Sequence, residues 1–277
     1  MNKRMTNSLR ISSAVTAILC IATALSAVPA RATVDTKSSD DLLTTSEITN
    51  SIEVAGNLVQ PALTSVATNL QTYVSSTDDV TIEIPRSLEN GVALSTPNVE
   101  LTIFLPNADS ASLGTKNNEG QVIFASAEAS ANTVIPVEGG VQMLTTISNK
   151  TAPERFTYSV EKEDSDYFQI QEDGSAVLIG TSGTVKLVIP APWAQDSVGR
   201  SIPTSFETDG DSLVQVISHK SLDNVAYPVT ADPYWIVVKC VAGVAVWLAS
   251  NIILSPPAQG WSWGFVGRGV VACLRGR

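Results

Sequence analysis

The stretch "AYPVTADPYWIVVKCVAGVAVWLASNIIL" (226–254) decides how the rest of the chain is read, because its character changes partway along. It starts as a strand and a turn. Two residues after Asp232-Pro233 it becomes twenty almost unbroken apolar residues with one charge, Lys239. Twenty helical residues rise about 30 Å, the hydrocarbon thickness of a bilayer. The expectation is a helix over 235–254, in one of two arrangements.

In the first, the helix crosses a membrane. Tyr234 and Trp235 lie at the interface, Lys239 snorkels near one end, and Arg268, Arg275 and Arg277 follow on the cytoplasmic side. In the second, "SPPAQG" (255–260) reverses the chain and 261–274 forms a shorter antiparallel arm. Cys240 and Cys273 then come to similar heights near the open end. A disulfide between them would contribute roughly 3–4 kcal/mol in the loop-entropy picture. A single crossing puts the two cysteines on opposite sides of the membrane, so the arrangements exclude each other. In both, Trp235, Trp247, Trp261 and Trp263 are the membrane-interacting aromatics.

Four divisions follow. Residues 1–32 have a basic start at Lys3, Arg4 and Arg10, an apolar run, and small residues around Ala30 and Ala32. That order predicts an export signal that is removed, taking Cys20 with it. Residues 33–77 are a polar linker or weak helices. One begins near Ser46-Glu47 with Ile48, Ile52, Leu58 and Val59, and a second carries Leu63, Val66, Leu70 and Val74. Residues 78–233 form the body, and 234–277 the apolar, cationic end. All 27 acidic residues fall between 32 and 233. An acidic body excludes nucleic acid as a partner, since phosphate contacts need clustered Lys and Arg. The cationic apolar end points to a membrane or cell envelope.

The body has the pattern of strands. "VTIEIP" (80–85), "VELTIFLP" (99–106), "GVQMLTTIS" (140–148), "RFTYSVE" (155–161), "YFQIQ" (167–171), "AVLIG" (176–180), "TVKLVIP" (184–190) and "SLVQVISH" (212–219) alternate or are β-branched. Glycine turns separate them, as at Asn90-Gly91 and Asp173-Gly174. Many short strands without helical periods predict a mainly β domain, an antiparallel sandwich or barrel.

"APWAQDSVGRSIPTSF" (191–206), "LVQVISH" (213–219) and "YPVTADP" (227–233), with "GVQMLTTISNKTAPERFTYSV" (140–160) upstream, resemble an uncharacterised family of secreted actinobacterial proteins. That family shows PWA-x-D-x-x-G, then P-T, a Q-x-V-x-H strand and a YPV-x-ADP ending. The resemblance covers roughly 78–240 and implies a secreted β domain. It implies no activity. A similar YPV-x-DP ending in large secreted repeat proteins suggests a structural role for that strand.

Few residues suggest chemistry. His219 is the one histidine, and neither a triad nor a zinc cluster is built from it alone. "DSDYFQIQEDG" (164–174) lacks the alternating oxygen ligands of a calcium loop. Trp193 and Asp196 in "PWAQDSVG" are the best-marked local pair. They either line a ligand groove or fix a corner, with Trp packed beneath the loop and Asp capping turn amides. The sequence implies no metal and no cofactor. The expectation is a secreted or envelope-attached, non-enzymatic β protein with a membrane-interacting helical tail and an unknown ligand. The alternatives are a precursor of a bacteriocin-like membrane-active peptide and, with least support, an extracellular hydrolase.

Overall fold

Antiparallel strands dominate the computed structural model, which describes residues 43–58, 65–67, 71–76, 80–97, 99–126, 128–180, 185–241 and 244–247. After the helix α1 (Thr45–Ala55) come β1 (Ser65–Ala67), β2 (Thr72–Ser76), β3 (Thr81–Pro85), β4 (Val92–Thr96) and β5 (Val99–Phe104) of a first sheet. The chain moves to a second sheet with β6 (Thr115–Lys116), β7 (Val122–Ala125), β8 (Ser130–Val137) and β9 (Gly140–Ile147). It returns to the first for β10 (Arg155–Glu161), then supplies β11 (Tyr167–Ile170), β12 (Ala176–Ile179), β13 (Val185–Ile189) and β14 (Ala194–Asp196) to the second. The pair β15 (Thr204–Asp209) and β16 (Ser212–Ile217) completes the first sheet. β17 (Val229–Ala231), β18 (Tyr234–Val241) and β19 (Val244–Trp247) follow in the second.

The strand order is β1-β2-β3-β4-β5-β10-β16-β15 in the first sheet and β11-β12-β13-β18-β9-β8-β7-β6 in the second. The first has one buried and one solvated face, and β10 alternates without a fault: Phe156, Tyr158 and Val160 are buried, Arg155, Thr157, Ser159 and Glu161 exposed. Such alternation is what a one-sided antiparallel sheet requires. Its buried residues share one apolar cluster with Phe124, Val134, Met143, Leu187 and Trp235 of the second sheet. On the second sheet's other face, Ile135, Leu144, Val188 and Ile236 cluster with Ile48 and Ile52 of α1. β8 and β9 are therefore buried along their whole length.

The expected helix over 235–254 is corrected where that segment is described: Tyr234–Val241 and Val244–Trp247 are strands. β18 lies between β9 and β13, with Trp235 opposite Val141 and Val237 opposite Leu187. A strand covered on both faces and paired on both edges is apolar throughout, so hydropathy cannot tell it from a membrane helix. The β-branched run Ile236, Val237, Val238 suits the strand. Among the described residues no helix is long and apolar enough to cross a membrane. The helical-hairpin basis for the Cys240–Cys273 disulfide goes with the helix: Cys240 stands in a strand, opposite Ala245 of β19. Cys273, Trp261, Trp263 and the export signal lie outside the described residues.

Upstream, α1 forms with a capping box. The Glu47 N–H donates to Thr44 Oγ1 at 3.2 Å, and the Thr44 N–H donates to Glu47 Oε2 at 2.8 Å. Its Ile48 and Ile52 are fully buried, and Ser51 Oγ is 2.5 Å from Thr230 Oγ1 on β17, so this part is docked, not a loose linker. The expected second helix around Leu63–Val74 is replaced by the strands β1 and β2.

Gly140 lets β18 approach β9. A Cβ there would stand 2.0 Å from the Trp235 carbonyl oxygen, a contact only glycine avoids. Trp235 is fully buried, its ring centroid 5.9 Å from Tyr158 of the first sheet and 6.2 Å from Phe168. Trp235→Ala should therefore lower unfolding stability by about 3–5 kcal/mol in urea titrations. Tyr167→Ala, at a side chain 53% exposed, should stay within about 1 kcal/mol.

Candidate functional site: a locked corner of buried polar groups

The three signature stretches converge on one place. β14 pairs with β17, Gln195 opposite Thr230, which brings "PWAQDSVGR" against "YPVTADP". After β14 the chain turns through 197–199 and comes back on itself: the Ile202 N–H donates to the Ala194 carbonyl at 2.8 Å and the Asp196 N–H to the Arg200 carbonyl at 2.9 Å. Gly199 at the turn has φ +79°, a conformation other residues rarely adopt.

Asp196 holds the turn. Its Oδ1 accepts the N–H groups of Val198 at 3.1 Å and Arg200 at 2.9 Å. Its Oδ2 accepts Arg200 Nε and Nη2, each at 2.7 Å, and the Ala226 N–H at 3.2 Å. Burial pushes the carboxyl pKa up, and the donors from Arg200, Ala226 and Val198 outweigh it, leaving the value below the ordinary 3.8. Arg200 also donates to the Asn224 carbonyl, tying the turn to the loop before β17. The lone pairs of Asp196 are thus spent within the corner. Trp193 is half-buried beside the α1 cluster. Its N–H donates to Asp232 Oδ1 at 3.0 Å, and the Asp232 N–H donates to the Trp193 carbonyl at 3.3 Å.

His219 closes the other side. It is fully buried and hydrogen-bonded; of the surface or hydrogen-bonded role that its place at a strand end suggests, the second holds. Nε2 lies 3.0 Å from the Pro153 carbonyl, which can only accept, so Nε2 carries the proton. Nδ1 then accepts from the Tyr227 hydroxyl at 2.8 Å. Burial lowers its pKa below 6.5, against the Pro153 carbonyl and Glu154, which raise it. Both nitrogens are engaged, and the imidazole is neutral. Glu154 fastens the same loop by accepting the Lys220 N–H at 3.0 Å.

The acidic loop does not gather into a ligand set. Asp166 pairs with Lys186 Nζ at 2.9 Å and Glu163 with the same amine at 3.1 Å, while Asp173 caps its own turn through Ser175. Among the described residues no group of three or more His, Cys, Asp or Glu side chains is placed to hold a metal ion. Trp235, expected at a membrane interface, is a core residue. Sequence reasoning missed Arg200, Tyr227 and Asp232. Asp232 carried a usable signal, since a charged residue followed by proline between two apolar runs marks a break in a strand.

Asp196→Ala should cost about 2–4 kcal/mol by stranding its donors, read by chemical denaturation. Two stabilising contributions from the corner are also lost in acid. Below about pH 6.5 the unfolded histidine takes up a proton that buried His219 resists, so the His219 contribution declines as pH falls. Asp196, with its folded pKa depressed, stabilises above about pH 4, and that contribution disappears as pH drops further. In thermal melts from pH 3 to 8, His219→Gln should gain stability relative to the wild type as pH falls below about 6.5, and both proteins should keep the loss below about pH 4. The chain matches no family model and no curated protein.

Proposed function

We propose that the chain is a secreted or envelope-attached, non-enzymatic protein whose β-sandwich body holds an apolar C-terminal segment ready for a membrane surface. The single observation that carries this reading is the way the apolar segment begins. "VVKCVAGVAVWLASNIIL" (237–254) continues directly from Trp235 and Ile236, which are fully buried between the sheets and under the second cluster. Force on the segment is therefore borne by the β18 ladders to β9 and β13. An anchor of this kind would not slide out of its body.

The corner supports a structural role for the signature. Its most distinctive polar groups, Asp196 and His219, are occupied in holding loops together. The resemblance to secreted actinobacterial proteins fits the same picture and adds no activity to it. The peptide alternative is narrowed by the strand. A peptide released at residue 234 would tear out Trp235 and the strand between β9 and β13. A releasable membrane-active segment has to begin after Val241.

Flotation with anionic phosphatidylglycerol vesicles tests the reading. The full chain should rise with the vesicles, and a chain ending at Val241 should stay at the bottom while keeping a cooperative urea transition. A full chain that stays at the bottom would overturn the proposal.

A further inference from the structure

Asp232 sits where β17 and β18 meet. Val229–Ala231 and the start of β18 lie end to end along β9, with Ala231 opposite Thr145 and Tyr234 opposite Gln142. Between them the ladder is kept only by the Met143 N–H, which donates to the Pro233 carbonyl at 2.8 Å. Asp232 is 2% exposed; its carboxyl accepts the Trp193 N–H, and its own backbone N–H is the other amide acting on it. Among the described residues, no lysine, arginine or histidine pairs with it.

Its neighbours are polar but neutral. From β10 comes Tyr158, whose hydroxyl is 3.1 Å from Thr145 Oγ1 of β9; Thr145 in turn donates to Asn132 Oδ1 of β8 at 3.4 Å. Burial holds the Tyr158 pKa far above its ordinary value, and the Asp232 charge adds to that. β14 carries one charged group, Asp196, which is paired with Arg200; β17 carries Thr230, bonded to Ser51, and Tyr234 of β18 belongs to the cluster on the other face. Glu47 and Glu53 of α1 are exposed. A buried carboxylate with only backbone amides beside it and no cation costs several kcal/mol, so such a group takes up a proton instead. Burial raises the Asp232 pKa to about 8, against the downward pull of the Trp193 amide and its own.

We propose that Asp232 is a proton-operated latch, which closes the Trp193 corner onto the β17–β18 joint in acid and slackens it as the carboxyl ionises. With Oδ2 protonated, Oδ1 remains a carbonyl acceptor for the Trp193 N–H. Once the joint opens, the carboxyl reaches water and releases its proton, so rising pH favours the open form. α1 rests on β14 and β17 through Ser51 and Thr230, so its seat loosens with the corner.

The sign and range follow from linkage. The folded pKa lies above the ordinary 3.8, so opening releases a proton between roughly pH 4 and 8. Amide hydrogen exchange on the full chain, corrected for intrinsic base catalysis, reads this directly. In the wild type, the opening constant for residues 193–196 and 229–231 should rise about tenfold per pH unit from pH 5 to about 8, then level off. Asp232→Asn should be flat over the same range, and β3 to β5 should be flat in both proteins. A flat wild-type profile, or the same slope in the variant, would overturn the latch. Should the variant fail to fold, carboxyl carbon-13 titration of the wild type decides: a midpoint near pH 8 supports the latch, and no carboxyl titrating above pH 6 refutes it.

Discussion

The second sheet depends on one insertion. β11, β12 and β13 reach β9, β8, β7 and β6 only through β18, with β17 and β14 extending the same seam. The two sides of β18 are bonded to strands roughly fifty and ninety residues away in sequence. Backbone groups in a buried sheet must be paired, so without this strand the facing edges of β9 and β13 would be left unsatisfied inside the protein. Trp235 fills the same place in the third dimension, reaching Tyr158 across the core. Closure of the sheet, the core contact and the seating of the corner thus come from one short piece of chain.

Three ionisable groups near that seam show three ways of carrying a polar side chain indoors. Asp196 stays charged because turn amides and a guanidinium surround it. His219 stays neutral, one nitrogen donating to a carbonyl and the other accepting from a phenol. Asp232 has backbone amides and no cation, and its proton makes up the shortfall. These groups do little to select the fold over other folds. They fix which loop meets which, since every partner is a particular amide or hydroxyl from a distant part of the chain.

How much of this was legible depended on solvent. Strands with one wet face, β3, β5 and β10 among them, showed alternation and were found from sequence. β9 and β12, buried on both faces, were found from their β-branched and apolar runs, whereas β8 was missed because Asn132 and Pro136 break up "SANTVIPV". β18 was misjudged because its apolar run was indistinguishable from a membrane helix until its neighbours were known. β14 and β17 are three residues each, too short for any period. The corner was half legible. Trp193 and Asp196 stood out because proline, glycine and a carboxylate mark a turn locally. Arg200, Tyr227 and Asp232 took their meaning from contacts across 4 to 39 residues, which no local pattern encodes.

The position of the seam strand also orders events in time. A ribosome delivers β9 and β13 well before residues 229–241, so two half-sheets with open edges must wait for the strand that joins them. Non-local pairing of this kind folds slowly and leaves aggregation-prone edges while it waits. A nascent chain stalled before residue 229 would be a poor globule and a good client for a chaperone or a translocation channel. The late strand acts as a timer, delaying compaction until residues 229–241 have emerged.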